Sequence, residues 1–314
     1  MTHRKRAIAV TFFSLALVIL AFQAPANGVA PAAEPETSVR IEKGITYATV
    51  DKEKLLLDIA IPPGDGPFPC IVMLHGGAWQ GGSRKDFSVG YKDKNGKVSP
   101  SWIETVARKG YVAAAVSYRL APKFKFPAMI EDARSAVRFL RANAKTYKVE
   151  PKEFGAVGFS AGGHLALLLG LCDKSAGFDV GDNLDQNGRV QCVIDFFGPT
   201  DLSLYAATTG LEDGYMVPFL GKECKTNPNV YKKASPITYV SKNAPPILIL
   251  HGTLDFIVPI KHSETMLKAL KDAGATAEMI TVPLVGHGGW DKGDMEKATT
   301  AAFKFLEANL KGKK

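Results

Sequence analysis

At 314 residues, with 46% hydrophobic and 22% charged side chains, the chain has an ordinary globular composition and the length for one large α/β domain with a full core. Its formal net charge of +8 is dispersed over lysines rather than gathered into a basic stripe with interleaved aromatics, which argues against a nucleic-acid partner. Four cysteines are too few for a disulfide scaffold, and no C-x-x-C or His/Cys spacing marks a metal site.

At the N-terminus Arg4-Lys5-Arg6 precede an uncharged apolar run over 7–22, and Ala24-Pro25-Ala26 follows as a small-x-small cleavage pattern. Residues 1–26 read as a secretory signal peptide, so the expected location is periplasmic or extracellular. A retained anchor is the competing reading, but the run is short for a span of roughly 20 residues, and small residues and prolines follow it directly. Cleavage would leave no stable membrane span. Residues 27–37, rich in Ala, Pro and Glu, read as a flexible leader, and 38–314 as a single domain. Export permits disulfides; Cys172 with Cys192 is the first pairing to consider, because it would join a helix end to the next strand. Cys70 and Cys192 both lie in apolar strand-like runs, where a buried free thiol is the default.

Two strand-like stretches over 39–61, ending before Pro62-Pro63-Gly64, predict a hairpin at a sheet edge. The continuous apolar run 70–74 reads as a central strand, followed by His75-Gly76-Gly77-Ala78-Trp79-Gln80-Gly81-Gly82 and a polar loop to about Pro100. A helix over 102–109 closed by Gly110, a buried strand over 111–116 and an amphipathic helix over 127–144 come next. Phe154-Gly155-Ala156-Val157 then reads as a strand and the run 165–169 as the start of a helix, with Gly158-Phe159-Ser160-Ala161-Gly162-Gly163-His164 between them. A strand over 190–197 ends at Gly198-Pro199-Thr200-Asp201. Residues 202–240 look irregular and carry several aromatics, the pattern of a lid or binding insert. A strand over 246–250, a helix over 261–273, a strand over 277–282 and a final helix over 295–310 complete the chain. This alternation predicts an α/β fold with a mainly parallel sheet covered on both faces, whose active site lies beyond the carboxyl ends of its strands. Every motif follows a predicted strand, so all should meet on one rim.

Strand, sharp turn and helix around a G-x-S-x-G spacing is the setting that holds a serine hydroxyl out as a nucleophile, although such a spacing also arises in turns without chemistry. A serine needs a base oriented by an acid. Elimination among six histidines leaves one base. His3 departs with the signal peptide, His262 lies inside a predicted helix away from a strand end, and His164 shares a helix with Ser160 and points along it. His75 and His251 close strands before a glycine, where imidazole fixes loop backbone. His287, in Val285-Gly286-His287-Gly288-Gly289-Trp290 after the last strand, is free to lean over Ser160. For the acid, Asp255 follows the penultimate strand in His251-Gly252-Thr253-Leu254-Asp255. Asp201 is its rival, with an N-cap role as the alternative, and Asp132 reads as a solvated or loop-bracing charge. The oxyanion donors expected are the backbone N–H of Ala161 and those of Gly76 and Gly77, between which the sequence does not choose.

His75-Gly76-Gly77-Ala78-Trp79, Tyr118-Arg119-Leu120-Ala121, the Ser160 turn, and His251-Gly252-Thr253-Leu254-Asp255 with Val258-Pro259 occur in an order that resembles the α/β-hydrolase superfamily from about Ile41 to Leu310. Within it the chain is similar to bacterial esterases near the hormone-sensitive-lipase group, and more so to the branch of bifunctional acetylxylan and feruloyl esterases. That resemblance implies an eight-stranded, mostly parallel sheet, a triad of Ser160, His287 and Asp255, and hydrolysis of short-acyl or carbohydrate-linked esters without cofactor. Two departures from the lipase group, Ala78 for its third glycine and Phe159 for its Asp before the serine, point toward the carbohydrate-esterase branch. A prolyl-oligopeptidase-like peptidase and a non-catalytic binding module are the competing functional readings; the first lacks its usual β-propeller here, and the second gives no reason to keep all the site residues together.

Overall fold

The structure is a computed structural model that describes residues 38–92 and 96–311; the signal peptide and leader read at 1–37 lie outside the described residues. Eight strands form one sheet in the order β1-β2-β4-β3-β5-β6-β7-β8. Strands β1 (Arg40–Val50) and β2 (Glu53–Ile61) form the expected edge hairpin, turned through Asp51 and Lys52, both at positive φ. β2 pairs antiparallel with β4 (Val112–Val116), and every later pairing is parallel, through β3 (Phe68–Leu74), β5 (Val149–Phe159), β6 (Cys192–Phe196), β7 (Ile247–Gly252) and β8 (Ala277–Val282).

The central strands read as unbroken apolar runs because both faces are covered. Alternation along β3 sends Cys70, Val72 and Leu74 into one core and Ile71 and Met73 into the other. The first core lies under α3 (Ala128–Ala142), α4 (Ala161–Leu171) and α8 (Lys261–Asp272); the second lies under α1 (Lys85–Ser88), α2 (Trp102–Arg108) and α9 (Lys292–Leu306). α1 falls within the stretch expected to be loop to about Pro100.

Two expectations need correction. Residues 202–240 are not irregular: they form α5 (Leu202–Thr209), a π-helical turn Glu212–Met216, α6 (Val217–Leu220), α7 (Pro228–Ala234) and a 3₁₀ turn Pro236–Tyr239. These pieces are too short to show a period, and Gly210 and Gly221 end two of them in the left-handed conformation. Met216, Phe219 and Tyr231 are buried by packing onto the first core, which is what folds the insert. The suggested Cys172–Cys192 bridge is absent, and both thiols are free. Cys172 packs in the first core and Cys192 in the second, so the sheet itself separates their side chains. Among the described residues no helix is long and apolar enough to cross a membrane.

Candidate active site

Ser160 sits between the end of β5 and the start of α4 at φ 55° and ψ −119°, a conformation that costs a non-glycine residue on the order of 1–3 kcal/mol. The neighbouring glycines make the turn possible. A Cβ at Gly158 would lie 2.0 Å from the Gly162 carbonyl oxygen, and one at Gly162 would lie 2.0 Å from the Leu74 carbonyl oxygen. Strand, helix and the adjacent β3 end touch backbone to backbone here, and the Ser160 N–H is tied to the Phe196 carbonyl at 2.8 Å.

The structure brings Ser160, His287 and Asp255 together from three separate loops. Ser160 Oγ is 2.8 Å from His287 Nε2, and His287 Nδ1 is 2.7 Å from Asp255 Oδ2. Burial alone would raise the Asp255 carboxyl, but hydrogen bonds from His251 and His287, the charge of His287 and the Val258 N–H hold it down to about 2. An ionised carboxylate only accepts, so Nδ1–H of His287 donates to it and Nε2 is left to accept the serine proton. Asp255 Oδ1 accepts from the N–H groups of Ile257 and Val258 at 2.9 and 2.8 Å, which folds its loop around the carboxylate. Phe197 sets its ring edge against the His287 imidazole at 4.7 Å between centroids.

On the other side of Ser160 runs the loop after β3. A Cβ at Gly76 would stand 3.1 Å from the Phe159 carbonyl oxygen and 3.4 Å from the Ser160 Cβ, so this backbone runs close beside the serine turn. Gly77, at φ 102°, turns the chain by accepting the N–H groups of Gln80 and Gly81, both at 2.9 Å. Ala161 opens α4, where the first N–H groups have no intrahelical partner and the helix dipole favours negative charge. Gly76 and Ala161 therefore flank the serine, with Gly77 next along the loop. Ala78 and Trp79 continue the loop at φ 52° and 59°, left-handed and strained for residues with side chains. Among the described residues no group of three or more His, Cys, Asp or Glu is placed to hold a metal ion.

Residues 57–270 match the BD-FAE family. The chain belongs to the BD-FAE family. It is 31% identical over 260 residues to the esterase LipQ of Mycobacterium tuberculosis, covering 77% of this chain and 56% of that protein. A truncated carbohydrate esterase from gut microbiota superposes with a TM-score of 0.71 at 26% identity, over 88% of this chain and 99% of the other. A thermophilic esterase of Thermogutta terrifontis, solved with propionate bound, gives a TM-score of 0.67 at 27% identity over 87% and 94%. The chain spans about half the length of the curated relatives it matches, whereas it spans nearly all of these two structures. Family and structural likeness together give it the α/β-hydrolase fold.

In this BD-FAE family member the rejected candidates have structural work. Asp201 caps α5 through the N–H groups of Ser203 and Leu204. Asp132 braces the loop after β4, receiving the Arg119 guanidinium and its backbone N–H. His75 donates from Nδ1 to the Gly76 carbonyl at 2.8 Å and stacks on Tyr118. His262 corrects an expectation: far from lying away from a strand end, its Nδ1 accepts the N–H groups of Thr200 and Asp201, at the turn after β6. Burial lowers His262 and His164 to about 4, so both imidazoles are neutral. His164 joins three parts of the site: its Nε2–H donates to the Ala234 carbonyl of the insert at 2.7 Å, and its Nδ1 accepts the Trp79 indole N–H at 3.3 Å. Trp79 in turn stacks on Phe219 of the insert at 4.1 Å. Phe197, Tyr205, Phe219 and Trp290 are all buried in the two cores, whereas Tyr215 is partly exposed. Sequence reading missed a rim of exposed apolar side chains, Leu254, Phe256, Ile257 and Leu284, on the two loops that carry Asp255 and His287; four large apolar residues in polar loop contexts were the available signal.

Proposed function

We propose that this chain is a serine carboxylic-ester hydrolase with Ser160 as nucleophile, His287 as base and Asp255 as the acid that orients it. The observation that carries the proposal is the continuous hydrogen-bonded series from Ser160 Oγ through His287 to Asp255 Oδ2, at 2.8 and 2.7 Å. As Ser160 attacks the ester carbonyl, His287 Nε2 takes its proton and Asp255 stabilises the imidazolium through Nδ1–H. The N–H of Ala161 with that of Gly76 or Gly77 receives the oxyanion. Collapse of the tetrahedral species expels the alcohol, protonated by His287 Nε2–H. Water, deprotonated by the same nitrogen, then attacks the acyl-enzyme and returns Ser160.

The substrates proposed are short-acyl or carbohydrate-linked esters, acetyl or feruloyl. Support comes from the BD-FAE family match, the carbohydrate esterase neighbour and the propionate and butyrate complexes of the Thermogutta terrifontis esterase. The basic, apolar and small-residue sequence of the N-terminus supports export, which suits a polymer-derived substrate.

A chain-length series of p-nitrophenyl esters, run beside acetylated xylan, methyl ferulate and an aminoacyl p-nitroanilide, tests both reaction and substrate. Turnover should be highest on the short-acyl or carbohydrate-linked esters and absent on the anilide. Ser160→Ala should lower it by on the order of 10⁵ or more while the protein stays folded. Preference for the anilide would favour a peptidase, and no turnover of any ester by wild type would favour a binding module.

A further inference from the structure

Asp255 Oδ2 receives a second imidazole besides His287. His251, the penultimate residue of β7, is wholly buried, with Nε2 3.1 Å from Asp255 Oδ2 and 2.8 Å from the Val258 carbonyl. Both neighbours are acceptors, so Nε2 carries the proton and shares it between them. His251 Nδ1 lies 2.6 Å from Ser263 Oγ on α8, and with Nε2 protonated it accepts the serine hydroxyl proton. The tautomer of this buried ring is thus fixed from both sides, and its N–H ends on the same oxygen that holds His287.

We infer that His251 is a positioning residue for the reaction: by donating to Asp255 Oδ2 and to the Val258 carbonyl, it locks the carboxylate's rotation and withdraws part of its negative charge from His287. This rests on the reading of Ser160, His287 and Asp255 as the hydrolytic machinery. Without His251, Oδ2 has one donor instead of two. The carboxylate gains freedom to turn away from His287, and while it faces His287 it carries more charge, which favours imidazolium over imidazole. The first effect lowers kcat; the second moves the acid limb of the activity profile to higher pH. The other titratable groups facing this pair are His262 on α8, Asp195 on β6, Asp201 at the α5 cap and Tyr205 on α5. None of them donates to Oδ2.

The experiment is the pH profile of kcat/KM and the kcat and KM of the full chain on p-nitrophenyl acetate, for wild type, His251→Phe, His251→Asn and His251→Gln, with folding checked by near-UV circular dichroism. The Phe variant keeps a ring but no donor, the Asn amide reaches only the Nδ1 position, and the Gln amide places an N–H near Nε2. Phe and Asn should lower kcat about tenfold with KM within about twofold, and raise the acid limb of the profile by about half a pH unit. Gln should bring the limb back to that of wild type. An unmoved limb in Phe and Asn, or a loss that Gln does not reverse, overturns the inference and leaves His251 a packing residue. If Phe does not fold, Asn against Gln decides in the same way. Ser160→Ala in the same assays keeps the two readings apart: activity retained there defeats the assignment of the site, whereas an inactive Ser160→Ala with an unmoved His251→Asn limb defeats only the role of His251.

Discussion

Asp195 offers a sharp test of how the serine turn is supported. It lies in β6 opposite Gly158, wholly buried, with Oδ1 accepting the Gly198 N–H at 2.9 Å and Oδ2 without a hydrogen-bond partner among the described residues. Burial pushes its carboxyl up to about 7, against the Gly198 N–H and the nearby His251, which pull it down. The unfolded chain releases this proton near pH 4 while the folded chain holds it to near pH 7, so Asp195 stabilises the fold in acid and loses that contribution as pH rises between those values. A difference of about three pH units corresponds to about 4 kcal/mol. Asp255 runs the opposite way: its depressed carboxyl contributes stability above pH 4 that is lost as pH falls toward 2. Asp195→Asn keeps the shape and the acceptor for Gly198 but cannot ionise, and Asp255 cancels in its comparison with wild type. Urea unfolding from pH 4 to pH 8 should show the variant gaining on wild type by about 4 kcal/mol across that range. A pH-independent gap between the two proteins would refute the argument, because Asp195 would then be ionised in the fold throughout.

Three further outcomes follow from the same contacts. His164→Phe removes both the Trp79 and the Ala234 hydrogen bonds, so kcat on p-nitrophenyl acetate should fall about tenfold with KM little changed as the strained loop after β3 loosens; unchanged kcat would mean that Phe219 stacking alone holds Trp79. Gly162→Ala forces a Cβ within 2.0 Å of the Leu74 carbonyl oxygen, where only backbone could yield, and should cost more than about 3 kcal/mol in a thermal melt or prevent folding. Alkylation of the denatured, unreduced protein should modify all four cysteines, since Cys70, Cys172, Cys192 and Cys224 are free; two modified residues would indicate a bridge.

The parallel sheet and the three site loops were legible because their signals are local. Apolar runs such as that of β3 announce buried strands, and Ser160, Asp255 and His287 each follow one, so topology alone brings them to one rim. What the sequence concealed depends on contacts between distant segments. The insert looked irregular because its helices take their order from packing of Met216, Phe219 and Tyr231 on the main core rather than from their own periodicity. The buried arginines of α3 gave no sign of their role: Arg134 and Arg138 pair with Asp179, more than forty positions away in the α4–β6 crossover. His251 and His262 were set aside on position along the chain. Only the fold reveals that one faces Asp255 and the other the Thr200 turn.

The most direct measurement is covalent labelling of the native protein with a p-nitrophenyl organophosphonate, followed by intact mass and peptide mapping. The related Thermogutta terrifontis esterase is phosphonylated by sarin and cyclosarin. Here one adduct per chain should form, on Ser160, with ester hydrolysis lost in proportion; Ser160→Ala should take no label, and His287→Ala should take it far more slowly. Labelling at another residue, or full hydrolytic activity in protein whose Ser160 is completely modified, would contradict the account.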